Sequence, residues 1–137
     1  LNMIIASEAA PEEKLRVFLK HIIRTAMNAS ELWGIRIFLR ELASPSPFVP
    51  KFITTAVFPK SQKLRELIRD ITGLPPDSPA VQRATALVAL PCMGLILFPE
   101  KLRTLMLPAT AGDADGLLED MLAYMLGGLR ALGETAR

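Results

Sequence analysis

Between Arg83 and Glu100 the chain carries no formal charge, and its only polar side chains there are Thr85 and the weakly polar Cys92. This run, ATALVALPCMGLILF over residues 84–98, has to be covered on nearly every side, which limits what the chain can fold into. It is shorter than the roughly 18 apolar residues that a membrane span requires. The expected structure is therefore a helix packed on its own chain along one side and on a second copy of the chain along the other. Half of the 137 residues are apolar and only 6% are aromatic, a balance that suits a helical oligomer hiding surface between subunits.

The rest of the chain reads as helices around that centre. Pro11 with Glu12 and Glu13 marks a helix N-terminus, where proline fits the first turn and acids fit the positive dipole end. Leu15, Phe18, Leu19, Ile22 and Ala26 then recur at helical spacing to about Asn28, with Arg16, Lys20 and Arg24 opposite. Ser30 is expected to cap a second helix, Glu31 to about Ala43, which is apolar on most sides and ends at Ser44-Pro45-Ser46-Pro47 because residues before proline avoid the helical region. A long helix is expected from about Pro47 to Thr72, kinked at Pro59, with the Thr55 carbonyl left without its helical donor. Gly73 and Pro75-Pro76 stop it, and Ser78-Pro79 restarts a helix to Phe98, bent at Pro91. One short helical turn is expected between Glu100 and Thr110. Asp113 caps the last helix, about Ala114 to Leu132, with Gly133 as its C-terminal stop. Gly127-Gly128 interrupts that helix, and we read the pair as the mark of a close helix crossing. No stretch alternates at strand period, so the class is all-α, five longer helices plus a short one, in a single domain over 1–137.

Charge and chemistry narrow the function mostly by exclusion. The net charge of +2 is mixed along the chain, which argues against a nucleic-acid face in these residues. A single cysteine allows no internal disulfide. Leu1 to Ala10 lack the basic start and long apolar core of a signal peptide, and the Leu start reads as part of a longer protein. His21 is the only histidine and has no metal-ligand partner at helical spacing. It reads as a solvated residue, and Cys92 as an inert buried thiol. Carboxylates such as Glu66, Glu119 and Asp120 read as solvated helix charges. A hydrolase or isomerase built on His21 is the weakest reading, and no cofactor or metal is expected.

A ligand cavity is the chemistry that remains. Trp33, Phe38, Phe52, Phe58 and Met93 are bulky and soft, and Arg36 or Arg40, the Thr55 hydroxyl and the carbonyls freed by Pro59 and Pro91 supply a few polar contacts. The expected lining is Trp33, Ile37, Arg40, Phe52, Thr55, Phe58, Met93 and Leu97. For each aromatic alone, core packing is the plainer reading; the pocket rests on the group, set between a kinked helix and an aromatic one.

Arg40-Glu41-Leu42-Ala43-Ser44-Pro45-Ser46-Pro47 resembles the R-E-x-x-x-P-[ST]-P turn of CecR-like C-terminal domains of TetR-type transcriptional regulators. Phe58-Pro59, the helix over Leu64 to Ile71, the turn Gly73-Leu74-Pro75-Pro76-Asp77-Ser78-Pro79 and the ending Gly127-Gly128-Leu129-Arg130-Ala131-Leu132 are similar to the same group, in order, over most of residues 11–133. The resemblance implies a cytoplasmic homodimeric regulator, usually a repressor, whose C-terminal domain holds a small apolar or amphipathic effector and dimerises through its last two long helices as a four-helix bundle. On those helices the expected interface positions are Val81, Val88, Cys92, Leu118, Met121, Leu122, Met125, Gly128 and Leu129. The helix-turn-helix of the group is absent from this sequence, so operator DNA is expected to be reached only through a missing N-terminal domain. No membrane partner is expected. The alternative is a helical interaction module that docks another protein on the 84–98 surface.

Overall fold

The computed structural model describes residues 8–28, positions 34, 36, 37, 39–41, 43, 44 and 47, and residues 58–135. Helix α1, Pro11–Met27, starts with proline in its first turn and Glu12 and Glu13 beside the dipole's positive end. The described positions from 34 to 43 are helical as well. Helix α2 is described over Phe58–Thr72. Gly73 ends it at φ 72°, in the left-handed region that glycine enters without steric cost, and its N–H donates to the Arg69 carbonyl at 2.8 Å. Helix α3, Pro79–Leu97, is capped by Ser78, whose Oγ accepts from the Val81 N–H at 3.2 Å. Helix α4, Glu100–Met106, and the single turn α5, Ala109–Gly112, lead to α6, Ala114–Thr135. The Asp113 carboxylate accepts from the Gly116 N–H at 2.8 Å and caps α6. The all-α expectation holds.

Two expectations about element bounds are corrected, and a third falls outside the described residues. Two short helices, not one turn, occupy the connection before α6. The part of the long third helix before Phe58, with the turn that Pro59 was expected to bend, lies outside the described residues. Gly133 is not a stop: it is helical and buried inside α6, which continues to Thr135. A Cβ built on Gly133 would lie 2.5 Å from the Thr72 carbonyl oxygen, so this glycine lets α6 cross directly over the backbone at the end of α2. The close crossing expected at Gly127-Gly128 does not occur within the protomer, because nothing lies within 4 Å of a Cβ built at either residue.

Helices α1, α2, α3 and α6 pack on one another around a single main core. Leu15, Leu19 and Ile23 enter it from α1, Leu67 and Ile68 from α2, Val81, Ala84, Val88 and Cys92 from α3, and Leu118, Leu122, Met125 and Leu129 from α6. On α1, α3 and α6 the set recurs every three or four residues, so each of these helices contributes one face. A smaller cluster, Ala26, Leu39 and Ile96 with Ile22, Met93 and Leu95 around it, joins the ends of α1 and α3 to the helical segment at 34–43. Arg36 reinforces that junction by donating from Nε to the Ile96 carbonyl at 3.2 Å, satisfying one of the carbonyls left without a partner in the last turn of α3. Across the surface, Arg16 of α1 forms a two-pronged pair with Glu119 of α6.

Candidate functional site: an open face on α3 and α6

From Ala84 onward helix α3 is apolar around its circumference apart from Thr85, so its core face uses only half of it. Opposite the buried row Val81, Ala84, Val88, Cys92 and Ile96 runs a second row at the same spacing, Leu87, Leu90, Pro91, Gly94 and Leu97, and it is exposed. Leu87 keeps 62% of its surface and Leu90 60%. On α6 the buried row Leu118, Leu122, Met125, Leu129 and Gly133 is backed by Ala123, Tyr124, Gly127, Gly128 and Ala131, all exposed, with Tyr124 at 82%. A groove of about 390 Å³ lies between the two helices, lined by Ala84, Leu87, Val88, Pro91, Tyr124, Met125, Gly128, Leu129 and Leu132. Pro91 has no N–H for the Leu87 carbonyl, so one backbone acceptor on this face is left without its helical donor. Contiguous exposed apolar surface makes this face a candidate interaction site.

Most of the expected interface positions face the protomer's own core. Val81, Val88, Cys92, Leu118, Leu122, Met125 and Leu129 are buried in the protomer's own core, and Met121 is half-buried against it. Gly128 alone of the nine is exposed, although Val88, Met125 and Leu129 also form the floor of the groove. On a helix apolar on both sides, spacing identifies two equivalent rows and does not say which faces inward. The exposed row Leu87, Leu90 and Pro91 was not singled out for that reason, although its spacing on α3 was an available signal.

Of the expected effector residues, four have described side chains, and only one of these is even half-buried. Met93 is half-buried on the Ala26–Leu39–Ile96 cluster, whereas Ile37, Arg40 and Leu97 are exposed. Trp33, Phe52, Thr55 and the Phe58 side chain lie outside the described residues. Arg36, weighed above as a pocket contact, instead has its Nε occupied by the end of α3.

Little here supports acid–base or nucleophilic chemistry. Burial pushes the Cys92 thiol up to about 11 from 9.0, so at neutral pH it is protonated and unreactive. His21 is exposed on α1. No group of three or more potential ligands could hold a metal ion among the described residues. Helix α3 is the one described helix long and apolar enough to cross a membrane. Its buried row, however, packs on α1, α2 and α6 as the core helix of a folded domain.

Sequence reasoning also missed Arg103. It is 97% buried (3% exposed), with Nη1 donating to the Thr110 carbonyl at 2.7 Å and Nε to the Phe98 carbonyl at 3.4 Å. Nothing in its local sequence distinguishes it from a solvated helix arginine.

The chain is thus an all-α domain that completes its own core yet keeps one long apolar face on its last two long helices. Residues 11–129 match the family described as "HTH-type transcriptional dual regulator CecR, C-terminal domain", and the chain belongs to that family of TetR-type regulators. No curated protein matches the chain. Membership makes this the effector-binding domain type of a transcription regulator, a non-enzymatic family role in which dimerisation, an effector and DNA are the general partners.

Proposed function

We propose that this domain senses a small apolar or amphipathic effector and dimerises through the α3–α6 face, as part of a cytoplasmic repressor that releases operator DNA when the effector binds. The observation that carries the reading is the exposed row on α3 beside the exposed small residues and Tyr124 of α6: two helices from each protomer would close it as a four-helix bundle. Gly127 and Gly128 leave bare backbone there, which permits close approach of a partner helix. DNA contact in this reading belongs to a helix-turn-helix head on the N-terminal side of Pro11. Half-sites roughly 34–36 Å apart would register a small rotation of two such heads, and a coupling of about 1–3 kcal/mol would be typical.

The effector pocket in this reading opens beside the small second cluster. Its contacts would be the residues expected above, of which Met93 packs on that cluster and Ile37, Arg40 and Leu97 are exposed. Reshaping this junction would move the end of α3 through the Arg36–Ile96 bond.

Two measurements test the reading. Sedimentation equilibrium should find a dimer at micromolar concentration; a monomer would remove the interface and favour a docking surface for a different protein. Titration with anilinonaphthalene sulfonate should saturate at one probe per protomer and quench Trp33, the only tryptophan. A signal that never saturates would remove the effector pocket.

A further inference from the structure

The connection between α3 and α6, residues 99–112, is built inside out. Its one buried residue is a cation, Arg103, while its large apolar side chains point to solvent. Leu105 keeps 79% of its surface and Met106 64%, and Leu102 and Leu107 are exposed as well. Leu102, Leu105 and Met106 are three and four residues apart on α4 and share one face. A segment meant to meet water would carry the opposite arrangement, because buried arginine is rare and exposed leucine in clusters marks contact surface.

Arg103 also makes the segment rigid. Its guanidinium bonds the carbonyls of Phe98 and Thr110 and so ties together the two ends of the arm. The Leu107 N–H donates to the Arg103 carbonyl at 2.7 Å and the Thr110 hydroxyl to the Leu107 carbonyl at 2.7 Å. The apolar side chains are therefore held outward by a braced loop, at little further entropic cost to a partner that meets them.

We infer that the 99–112 arm is a second part of the interface between two copies of this chain, clasping the partner protomer through Leu102, Leu105, Met106 and Leu107. This rests on the dimer proposed above. Two observations select a second copy as the occupant. The arm directly joins α3 to α6, the helices whose exposed rows form the proposed face, so it lies at the end of that face by connectivity. The area agrees too. Taking about 200 Å² for a fully exposed Leu, Met or Tyr, the exposed parts of Leu87, Leu90, Leu97 and Tyr124 come to roughly 500 Å² per protomer, or about 1,000 Å² for a pair, to which the small exposed residues of the same face add. The arm adds nearly as much again and brings the pair to roughly 2,000 Å², the range of obligate homodimers.

The test compares Leu105→Ser/Met106→Ser with Tyr124→Asp on the α6 face and with the unaltered chain, by sedimentation equilibrium over a dilution series, with far-ultraviolet circular dichroism as a check on folding. Both altered sites are exposed in the protomer, so the helical signal should not change. The arm variant is expected to raise the dimer dissociation constant by about 30-fold or more, as loss of a buried apolar hot spot does. A second measurement places the arm. A nitroxide attached through Met106→Cys, with Cys92 left buried and unlabelled, is mixed with an isotope-labelled unmodified chain. It should broaden amide signals of the labelled protomer. If the unaltered chain dimerises and Tyr124→Asp weakens it while the arm variant dimerises normally and the nitroxide broadens nothing, the arm inference is overturned and the α3–α6 dimer stands. If the unaltered chain is monomeric at micromolar concentration, the dimer reading falls and the arm inference falls with it.

Discussion

Replacing Gly133 with alanine tests how α6 is held against α2. The added methyl would begin 2.5 Å from the Thr72 carbonyl oxygen and 3.2 Å from the Thr72 carbonyl carbon and Cα. All three are backbone atoms at the end of a helix, anchored by the Thr72 hydroxyl, which donates to the Ile68 carbonyl at 2.9 Å. No side chain can rotate to make room, so the two helices must separate. Overpacking of this kind costs about 1–3 kcal/mol, and backbone opposition places it toward the upper end. Alanine returns about 1 kcal/mol in helix propensity. The expected net loss is about 1–2 kcal/mol, which for a chain of this length lowers Tm by roughly 4–7 °C. Thermal unfolding followed at 222 nm measures it. Gly127→Ala is the control: with no atom within 4 Å of the new Cβ, it should be neutral or stabilising by up to about 1 kcal/mol when the protein is dilute enough to dissociate. If Gly133→Ala melted at or above the unaltered protein, the crossing at Thr72 would be yielding and the argument would fail.

Three further outcomes follow from the same structure. Ser78→Ala should cost about 1 kcal/mol in urea unfolding, because the Val81 N–H loses its acceptor at the start of α3. Cys92 should resist Ellman's reagent at pH 8 in the folded protein and react fully in urea; since its folded pKa is raised from 9.0 to about 11, the stability it confers is intact below pH 9 and is lost as pH rises toward 11, a loss that Cys92→Ala should abolish. The Glu119 carboxyl is held below its usual range first by the hydrogen bond from Arg16, so its contribution is present at neutral pH and is lost as acid protonates it. Glu119→Gln should therefore flatten the acid side of the stability profile slightly, the pair being exposed, and an unchanged profile would show that the pair contributes nothing.

Much of the fold was legible because its signals are local. Pro11 with its two acids, Ser78-Pro79, Gly73 and Asp113 each set a helix end through contacts spanning four residues or fewer, and all four lie where the sequence put them. The uncharged run at 84–98 likewise announced a helix needing cover on two sides. What the chain could not announce is orientation. The rows through Val88 and Leu87 on α3 are equally apolar, and only packing against Leu19, Ile68 and Leu122 turned the first inward and left the second exposed. Gly133 read as a stop because its reason, the Thr72 backbone, lies 61 residues away in the chain. Arg103 read as a surface charge because the carbonyls that bury it come together only when the arm folds back on itself. The sequence alone determined where helices begin and end and how much apolar surface they carry, because those follow from neighbouring residues. Tertiary structure decided which face is core, which is open, and which glycine is a contact, because each depends on atoms that only folding brings within reach.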